Sequence, residues 1–226
     1  MAIAHSPARL SPLHALHGEL GAVFAEEAGW QVVQRYGDVE GELKAVTLSA
    51  GVCDISGRSA VRIKSTRLDE VLGGRAPAIG SVLRDGNSVI ARLTSEEALA
   101  IGPPSAEGSS HAGIAERANP RRYVIDVTSG LAGLKIAGPL AREVLAALTD
   151  IDLREGSMPD GSCAQAGFAQ VHGTLLRLDI GGTAAYELYV AREYGLYVWE
   201  AVIESLGHGK VVPFGAETLR RLERGR

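Results

Sequence analysis

The chain has 226 residues, of which 46% are hydrophobic and 22% charged, and its formal net charge is −4. This length allows one large domain or two interleaved subdomains, with a core that needs no metal or disulfide. The negative charge and the aromatic content of 5% argue against nucleic acid as the main partner. Two cysteines, Cys53 and Cys163, are typical of a reducing compartment. Because no membrane span or signal peptide is visible, we expect a cytoplasmic protein without a membrane partner.

The first fifty residues predict a loose arm followed by two helices. Residues 1–10 have no regular pattern. Ser11-Pro12 is typical of a helix start, and apolar residues at helical spacing from Leu13 to Val23 continue the helix. The second helix is predicted from Val39 to Ala50, because glycine follows as a stop signal.

Residues 60–102 predict a strand, a helix, a hairpin and a further strand. Ala60 to Lys64 alternates apolar and charged residues, as a strand with one wet face does. Ser65 caps the predicted helix. The hairpin has strands Ser81 to Leu83 and Ser88 to Leu93, joined by an Asp-Gly-Asn turn. The small, polar residues 103–119 predict a loop or a mobile insertion.

The second half of the chain predicts a similar order of elements. A strand and then a helix that starts at Pro139 are followed by three strands and an amphipathic helix. The predicted strands are Leu131 to Ala137, Gly161 to Val171, Leu175 to Ile180 and Tyr186 to Val190, and the last helix is Tyr194 to Leu206.

One sequence phrase occurs twice in the chain. Asp54-Ile55-Ser56 and Asp126-Val127-Thr128 each lead to a strand and then a helix. The strand residues Val61 and Leu134 are 73 positions apart (134 − 61). We therefore predict an α+β fold that is internally duplicated, with mostly antiparallel sheets and packed helices. An arm at 1–10 precedes a domain at 11–226, whose two halves span about 51–102 and 123–206.

Several residues could carry chemistry but have simpler interpretations. His14 and His17 lie three apart on a helix, yet no third metal ligand is evident, so we predict no metal site. Gly181-Gly182 leads into a strand, not into a helix N-terminus, so it predicts a hairpin turn and not a phosphate loop. Cys53 lacks positive neighbours, which predicts a buried, inert thiol. The pair Asp150 and Asp152 predicts a solvated loop.

Phrases along most of the chain resemble the folate-binding aminomethyltransferases, which include the glycine cleavage T-protein and relatives in sarcosine and dimethylglycine oxidation. The match covers residues 10 to 225. Each phrase is short, and it is their common order along the chain that makes the match specific. These phrases are Pro12-Leu13-His14, Ala28-Gly29-Trp30, Gly51 to Ser56, Gly138-Pro139, Tyr186 to Val190, and Thr218 to Glu223. The resemblance implies a duplicated body around a central channel, tetrahydrofolate as the cofactor, and Arg221 and Tyr186 as its contacts.

The chain departs from this family at the residues that carry its chemistry. Where the family has an aspartate in the first hairpin, this chain has Asn87 to Ala91 without a carboxylate. Where the family has Tyr-Thr-Gly-Glu, this chain has Ile180 to Thr183. We also expect that the family's C-terminal barrel is absent. No catalytic residue can be assigned, because one-carbon transfer needs an acid or base that the matching positions lack.

Four functions remain open. The favoured one is a noncatalytic γ-type subunit of a sarcosine oxidase-like complex, whose partners are flavin-dependent amine oxidase subunits. The alternatives are a tetrahydrofolate-dependent transferase and a folate-binding protein without transfer activity. A pocket adapted to another small-molecule ligand also stays open.

Overall fold

The computed structural model describes residues 8–104 and 123–225, so most of the predicted loop at 103–119 lies outside the described residues. The helices are α1 His14–Glu19, α2 Val39–Leu48, α3 Leu68–Val71, α4 Ala141–Ala146, α5 Gly195–Glu204 and α6 Ala216–Arg224. The strands are β1 Arg9–Leu10, β2 Val23–Glu27, β3 Trp30–Arg35, β4 Ala50–Asp54, β5 Ser59–Lys64, β6 Val82–Asp85, β7 Ser88–Arg92, β8 Glu97–Gly102, β9 Tyr123–Asp126, β10 Leu131–Ala137, β11 Cys163–Phe168, β12 Val171–Arg177, β13 Ala185–Ala191 and β14 Val211–Pro213.

Two large sheets have the same internal order. One sheet runs β6-β7-β8-β5-β9, and the other runs β11-β12-β13-β10-β4 with β14 added at its end. In each sheet a hairpin (β6–β7 or β11–β12) is followed by a strand (β8 or β13) that pairs with a central strand (β5 or β10). The strand pairs are antiparallel, except that β14 is parallel to β4. The predicted duplicated α+β fold is therefore confirmed. A third, small sheet has the order β1-β3-β2.

Each large sheet takes one strand from the other half of the sequence. Strand β4 precedes β5 in the chain but pairs with β10, whereas β9 precedes β10 but pairs with β5. The repeated phrase lies at both crossings. Ser56 Oγ accepts a hydrogen bond from Gly133 N at 3.1 Å, and Thr128 Oγ1 accepts one from Ala60 N at 2.9 Å. The acceptors are 72 positions apart and the donors 73, so the two crossings are equivalent.

The two large sheets face each other across a central apolar layer, and helices cover their outer faces. The central layer contains Cys53, Ile55, Leu99 and Leu176. Helix α3 packs on the outer face of the first sheet, while α4 and α5 pack on the outer face of the second. Strand residues alternate between these layers because successive side chains point to opposite faces. The boundaries of the arm (1–10) and of the two halves stay predictions.

Two parts of the predicted secondary structure are wrong. Helix α1 ends at Glu19, and Val23 belongs to β2, which turns into β3 through Ala28 and Gly29 at φ of 50° and 81°. Positive φ at both central residues gives a turn that matches strand twist. Strand β12 begins at Val171 after a similar turn at residues 169–170. The strands predicted at 161–171 and 175–180 therefore form one hairpin, and its turn lies inside the first predicted strand. Neither turn has the usual Asn-Gly signal.

The other predictions of single elements are largely confirmed. The strand Leu131–Ala137 has the predicted bounds, and the helix predicted from Val39 ends at Leu48, two residues early. The hairpin of β6 and β7 is in place, and Asp85 belongs to it. Among the described residues, no helix is long and apolar enough to cross a membrane.

Candidate functional site

A cavity of about 620 Å³ lies between the two large sheets and is closed by β3 and α6. Its volume is in the range of small-molecule sites in proteins. Its apolar wall includes Trp30, Val89 and Leu178. Gly215 lets α6 approach β3, since a Cβ at this position would lie 2.1 Å from Gln34 O. The charged residues of the wall are Glu27, Asp54, Arg58, Arg84, Lys135, Asp179, Glu187, Arg220 and Glu223.

Glu187 is the centre of a buried polar cluster in this wall. Its Oε1 accepts a hydrogen bond from Arg58 Nη1 at 2.5 Å and from Lys135 Nζ at 3.5 Å. Its Oε2 accepts one from Tyr189 Oη at 2.7 Å. Lys135 Nζ also donates to the carbonyl of Leu178 at 3.2 Å. Both carboxylate oxygens of Glu187 are therefore occupied by residues of the chain itself.

The cluster changes the proton affinities of its members. Burial alone would raise the pKa of Glu187, but the cations of Arg58 and Lys135 hold this pKa below its ordinary value. Burial lowers the pKa of Lys135, although Glu187 counteracts the effect. Burial and the neighbouring carboxylate raise the pKa of Tyr189 well above its ordinary value. Glu187 is thus an anion near neutral pH and Tyr189 keeps its proton.

A second hydrogen-bonded chain links α1 to the edge of the cavity. Asp54 accepts hydrogen bonds from Ser11 Oγ, from His17 Nε2 at 3.0 Å and from Ser56 N at 2.9 Å. His17 is fully buried, and its Nδ1 lies 2.8 Å from Tyr36 Oη. Burial would raise the pKa of Asp54, but the hydrogen bonds, led by that of His17, lower it. This carboxylate is therefore a structural anchor for α1.

The structure also shows the surroundings of the cysteine, histidine, glycine and aspartate residues for which the sequence predicted no catalytic role. Cys53 lines the cavity wall, and burial raises the pKa of its thiol, as expected for an inert cysteine. Both ring nitrogens of His17 are engaged, and in residues 8–104 and 123–225 no three His, Cys, Asp or Glu are grouped as metal ligands. Gly181-Gly182 forms the predicted turn, and Asp152 pairs with Arg154 in an exposed loop.

The two residues that the resemblance assigns to folate, Tyr186 and Arg221, do not line this cavity. Tyr186 is buried on the opposite face of β13 from Glu187, and its Oη has no hydrogen-bond partner among the described residues. Arg221 is half exposed and pairs with Glu40, whereas its neighbour Arg220 lines the cavity and pairs with Glu27. Their assignment to a ligand stays a prediction.

Sequence reasoning missed the residues that carry the cluster. Arg58, Lys135 and Glu187 were not among the predicted site residues. One signal could have identified two of them: Lys135 and Glu187 are charged residues within strands that are otherwise buried and apolar. Charged residues are almost never fully buried unless they are paired. Such strand positions therefore indicate an ion pair inside the fold.

The first hairpin brings no carboxylate from β7 to the cavity. Its contributions are Asn87 and Val89, together with Arg84 and Gly86 from β6 and the turn. Asp85 is exposed and lies 3.5 Å from Arg75 in an ion pair.

Comparison with known proteins gives the context of this site. The family model described as "GCVT N-terminal domain" matches residues 78–226. An aminomethyltransferase from Saccharopolyspora erythraea is 31% identical over 97% of this chain, which spans 65% of that protein. The α subunit of sarcosine oxidase from Rhizobium meliloti is 28% identical over 97% of this chain, which spans 26% of that protein. The chain thus spans less than two thirds of both relatives.

Two solved structures share the fold. Aminomethyltransferase T of the glycine cleavage system from Bartonella henselae superposes with a TM-score of 0.79 at 21% identity, over 95% of this chain and 62% of that one. A chain of the heterotetrameric sarcosine oxidase from Corynebacterium sp. U-96 superposes with a TM-score of 0.64 at 14% identity. That match covers 88% of this chain and 94% of the other, so the two chains have similar lengths.

Proposed function

Because the chain belongs to the GCVT N-terminal domain family, we propose that it is a noncatalytic, γ-type subunit of a sarcosine oxidase-like complex. Its partners would be flavin-dependent amine-oxidising subunits, and the complex would act in the cytoplasm. The chain would contribute its duplicated body to the assembly without catalysing one-carbon transfer itself.

The observation that carries this proposal is the pairing of the polar groups in the cavity. Glu187, the most buried acid of the wall, has both oxygens occupied by Arg58, Lys135 and Tyr189. Asp54 is likewise occupied by Ser11, His17 and Ser56. General acid–base catalysis needs a group that can reach the proton of a bound substrate. These two carboxylates instead hold the protein together.

Two further observations support it. Strand β7 supplies no carboxylate to the cavity, although the resemblance places the acid of the family in this hairpin. In addition, the matching chain of the heterotetrameric sarcosine oxidase is covered over 94% of its length. A chain with this fold and length is therefore compatible with a role as one subunit of a larger oxidase.

A second candidate function is the binding of tetrahydrofolate, with or without transfer. The cavity of about 620 Å³ could hold a small heterocyclic ligand. Trp30 lines its wall, and Trp30 Nε1 is buried without a hydrogen-bond partner among the described residues. Buried polar atoms without partners are uncommon in proteins and can indicate a bound group.

Titration with tetrahydrofolate separates the two functions. We expect no saturable quenching of tryptophan fluorescence, because Glu187 and Asp54 in the cavity wall already have partners within the chain. A dissociation constant in the micromolar range, about −8 kcal/mol, would refute the subunit interpretation in favour of folate binding. Trp30→Phe is the matched control, since Trp199 is buried in a different core and its fluorescence should not respond.

If folate does bind, three variants locate it. Arg221→Ala and Tyr186→Phe test the contacts that the resemblance implies, and Arg220→Ala tests the arginine that lines the cavity. Loss of affinity in Arg221→Ala alone would support the contact implied by the resemblance. Loss in Arg220→Ala alone would place the ligand in the cavity between the sheets.

A further inference from the structure

Lys135 has an unusual position for a lysine. It lies in the middle of β10, directly opposite Glu187 on β13, and its side chain is 4% exposed. Lys135 nevertheless lines the cavity, together with Cys53, Ile55 and Leu178, and its Nζ lies 3.2 Å from the carbonyl of Leu178. A lysine in such a place is shielded from bulk water but can contact a molecule that enters the cavity.

Burial opposes a permanent ammonium ion at Lys135, whereas the charges around it act in both directions. Glu187 faces it from β13 but lies closer to Arg58, at 2.5 Å against 3.5 Å. Arg58 is a second cation beside the same carboxylate, and Glu223 is an exposed acid on α6. Burial, the largest effect, and the cation of Arg58 lower the pKa of Lys135, whereas Glu187 and Glu223 raise it, and the net pKa lies below the ordinary value. A lysine amine becomes nucleophilic when it is desolvated or placed next to another cation.

The other half of the fold shows that a lysine is not needed at this position for folding. Arg62 occupies the position equivalent to Lys135, 73 residues earlier (135 − 62) on the central strand of its sheet. Arg62 pairs with Glu97 at 3.3 Å and is 35% exposed. A guanidinium stays protonated and is not a nucleophile. Both halves of the duplicated fold therefore have a basic residue at this position, and only the second half has a lysine amine there.

We propose that Lys135 Nζ is a nucleophile that captures small aldehydes in the cavity as a reversible imine. The amine lone pair attacks the carbonyl carbon and gives a carbinolamine, which loses water to form the C=N bond; addition of water reverses both steps. No oxidant or reductant is needed. The source of the aldehyde rests on the proposed function, since oxidation of an amine followed by hydrolysis of the resulting imine releases an aldehyde.

The competing nucleophile in the cavity is the thiol of Cys53. Burial, reinforced by the nearby acids Asp54 and Glu42, raises the pKa of this thiol and keeps it protonated. The thiolate, not the thiol, is the reactive form of cysteine. The hydroxyl of Tyr189 also stays protonated and donates to Glu187. Lys135 is therefore the group that should react.

Reductive trapping tests the proposal on the full chain. The protein is incubated at about pH 7, well below the ordinary pKa of lysine, with formaldehyde and sodium cyanoborohydride. Mass spectrometry then follows methylation at each lysine. We expect Lys135 to be methylated severalfold faster than the exposed Lys44, Lys64 and Lys210, which serve as internal controls. Methylation of Lys135 at the rate of Lys44 or slower would overturn the proposal.

Two variants sharpen the test. Glu187→Gln removes the carboxylate that stabilises the ammonium form, so Lys135 should react faster while Lys44 does not change. Lys135→Arg keeps the charge and should lose the fast-reacting site. An unchanged rate in Glu187→Gln would also contradict the proposal. These outcomes do not depend on tetrahydrofolate binding, so failure of the proposed function and failure of this inference are distinguishable.

Discussion

The phrases Asp54-Ile55-Ser56 and Asp126-Val127-Thr128 perform the same structural task in the two halves. In each, the aspartate Oδ1 accepts a hydrogen bond from the backbone N–H two residues later, at 2.9 Å. In each, the following hydroxyl accepts a hydrogen bond from the central strand of the opposite half. The repeated sequence is therefore a repeated crossing of the chain between two sheets.

The surroundings of the two phrases differ. Asp54 is buried beneath α1 and bonded to His17, whereas Asp126 is exposed. Likewise, the ion pair of Lys135 and Glu187 is buried, while that of Arg62 and Glu97 is partly exposed. The backbone frame of the fold is thus symmetric, but the buried polar chemistry lies on one side. This comparison gives matched pairs of variants.

The largest expected effect is at the two ion pairs. Glu187→Ala should lower the free energy of unfolding by about 3–5 kcal/mol, because it leaves the partly buried Arg58 and the buried Lys135 without their shared partner. Glu97→Ala should cost less than about 1 kcal/mol, since its pair is partly exposed to solvent. Urea denaturation measures both values. Similar losses for the two variants would contradict the asymmetry of the halves.

The next largest difference is between the two aspartates. Asp54→Ala should cost about 3 kcal/mol, because the buried His17 and the half-buried Ser11 would be left without an acceptor. Asp126→Ala should cost less than about 1 kcal/mol, because its side chain is exposed and supports only a local turn. Thermal unfolding of both variants under identical conditions checks the difference, and equal shifts in Tm would refute it.

The same aspartate predicts part of the pH dependence of stability. The pKa of Asp54 is lower in the folded chain than in the unfolded chain. Its contribution is therefore complete above the unfolded value of about 4 and is lost as the pH falls through the lower folded value. In Asp54→Asn the stability should fall less steeply below about pH 4 than in the original chain. Parallel acid curves would show that Asp54 contributes nothing to this slope.

A smaller effect, equal in the two halves, is expected at the crossing hydroxyls. Ser56→Ala and Thr128→Val each remove one hydroxyl and leave one buried backbone N–H without its acceptor. Each variant should lose about 1–2 kcal/mol of unfolding free energy. The two losses should agree within about 0.5 kcal/mol. A clear inequality would mean that the crossings are not energetically equivalent.

The smallest effect is expected for an exchange of the two cations. Lys135→Arg and Arg62→Lys keep the charge at equivalent positions, so each should change the unfolding free energy by less than about 1.5 kcal/mol. Lys135→Arg should be the more costly of the two, because its site is buried and Arg62 is partly exposed. Chemical denaturation followed by circular dichroism measures the difference. A larger loss for Arg62→Lys would reverse the comparison.

The sequence predicts much of this fold but not its site, for physical reasons. The bounds of Leu131–Ala137 follow from a local pattern, and the repeated phrase predicts the duplicated sheets. The polar cluster depends on contacts between residues far apart in sequence: Arg58 lies 129 positions from Glu187. No local pattern encodes such a pair.

The predicted site residues are each adjacent to a residue that lines the cavity. Tyr186 precedes Glu187 on a strand, where a step of one residue moves a side chain to the opposite face. Arg221 follows Arg220 on a helix, where one residue is more than a quarter of a turn. The resemblance therefore names residues on two elements of the cavity wall, whereas the structure shows which side chains of those elements face the cavity.

The central claim is that this chain is a noncatalytic partner of flavin-dependent subunits. Its most direct test is to express an affinity-tagged copy together with its neighbouring genes, and to measure the mass and visible absorbance of the purified species by light-scattering chromatography. The account predicts a hetero-oligomer in which flavin absorbance elutes at a fixed ratio with the chain. A colourless monomer that transfers one-carbon units to tetrahydrofolate would contradict it.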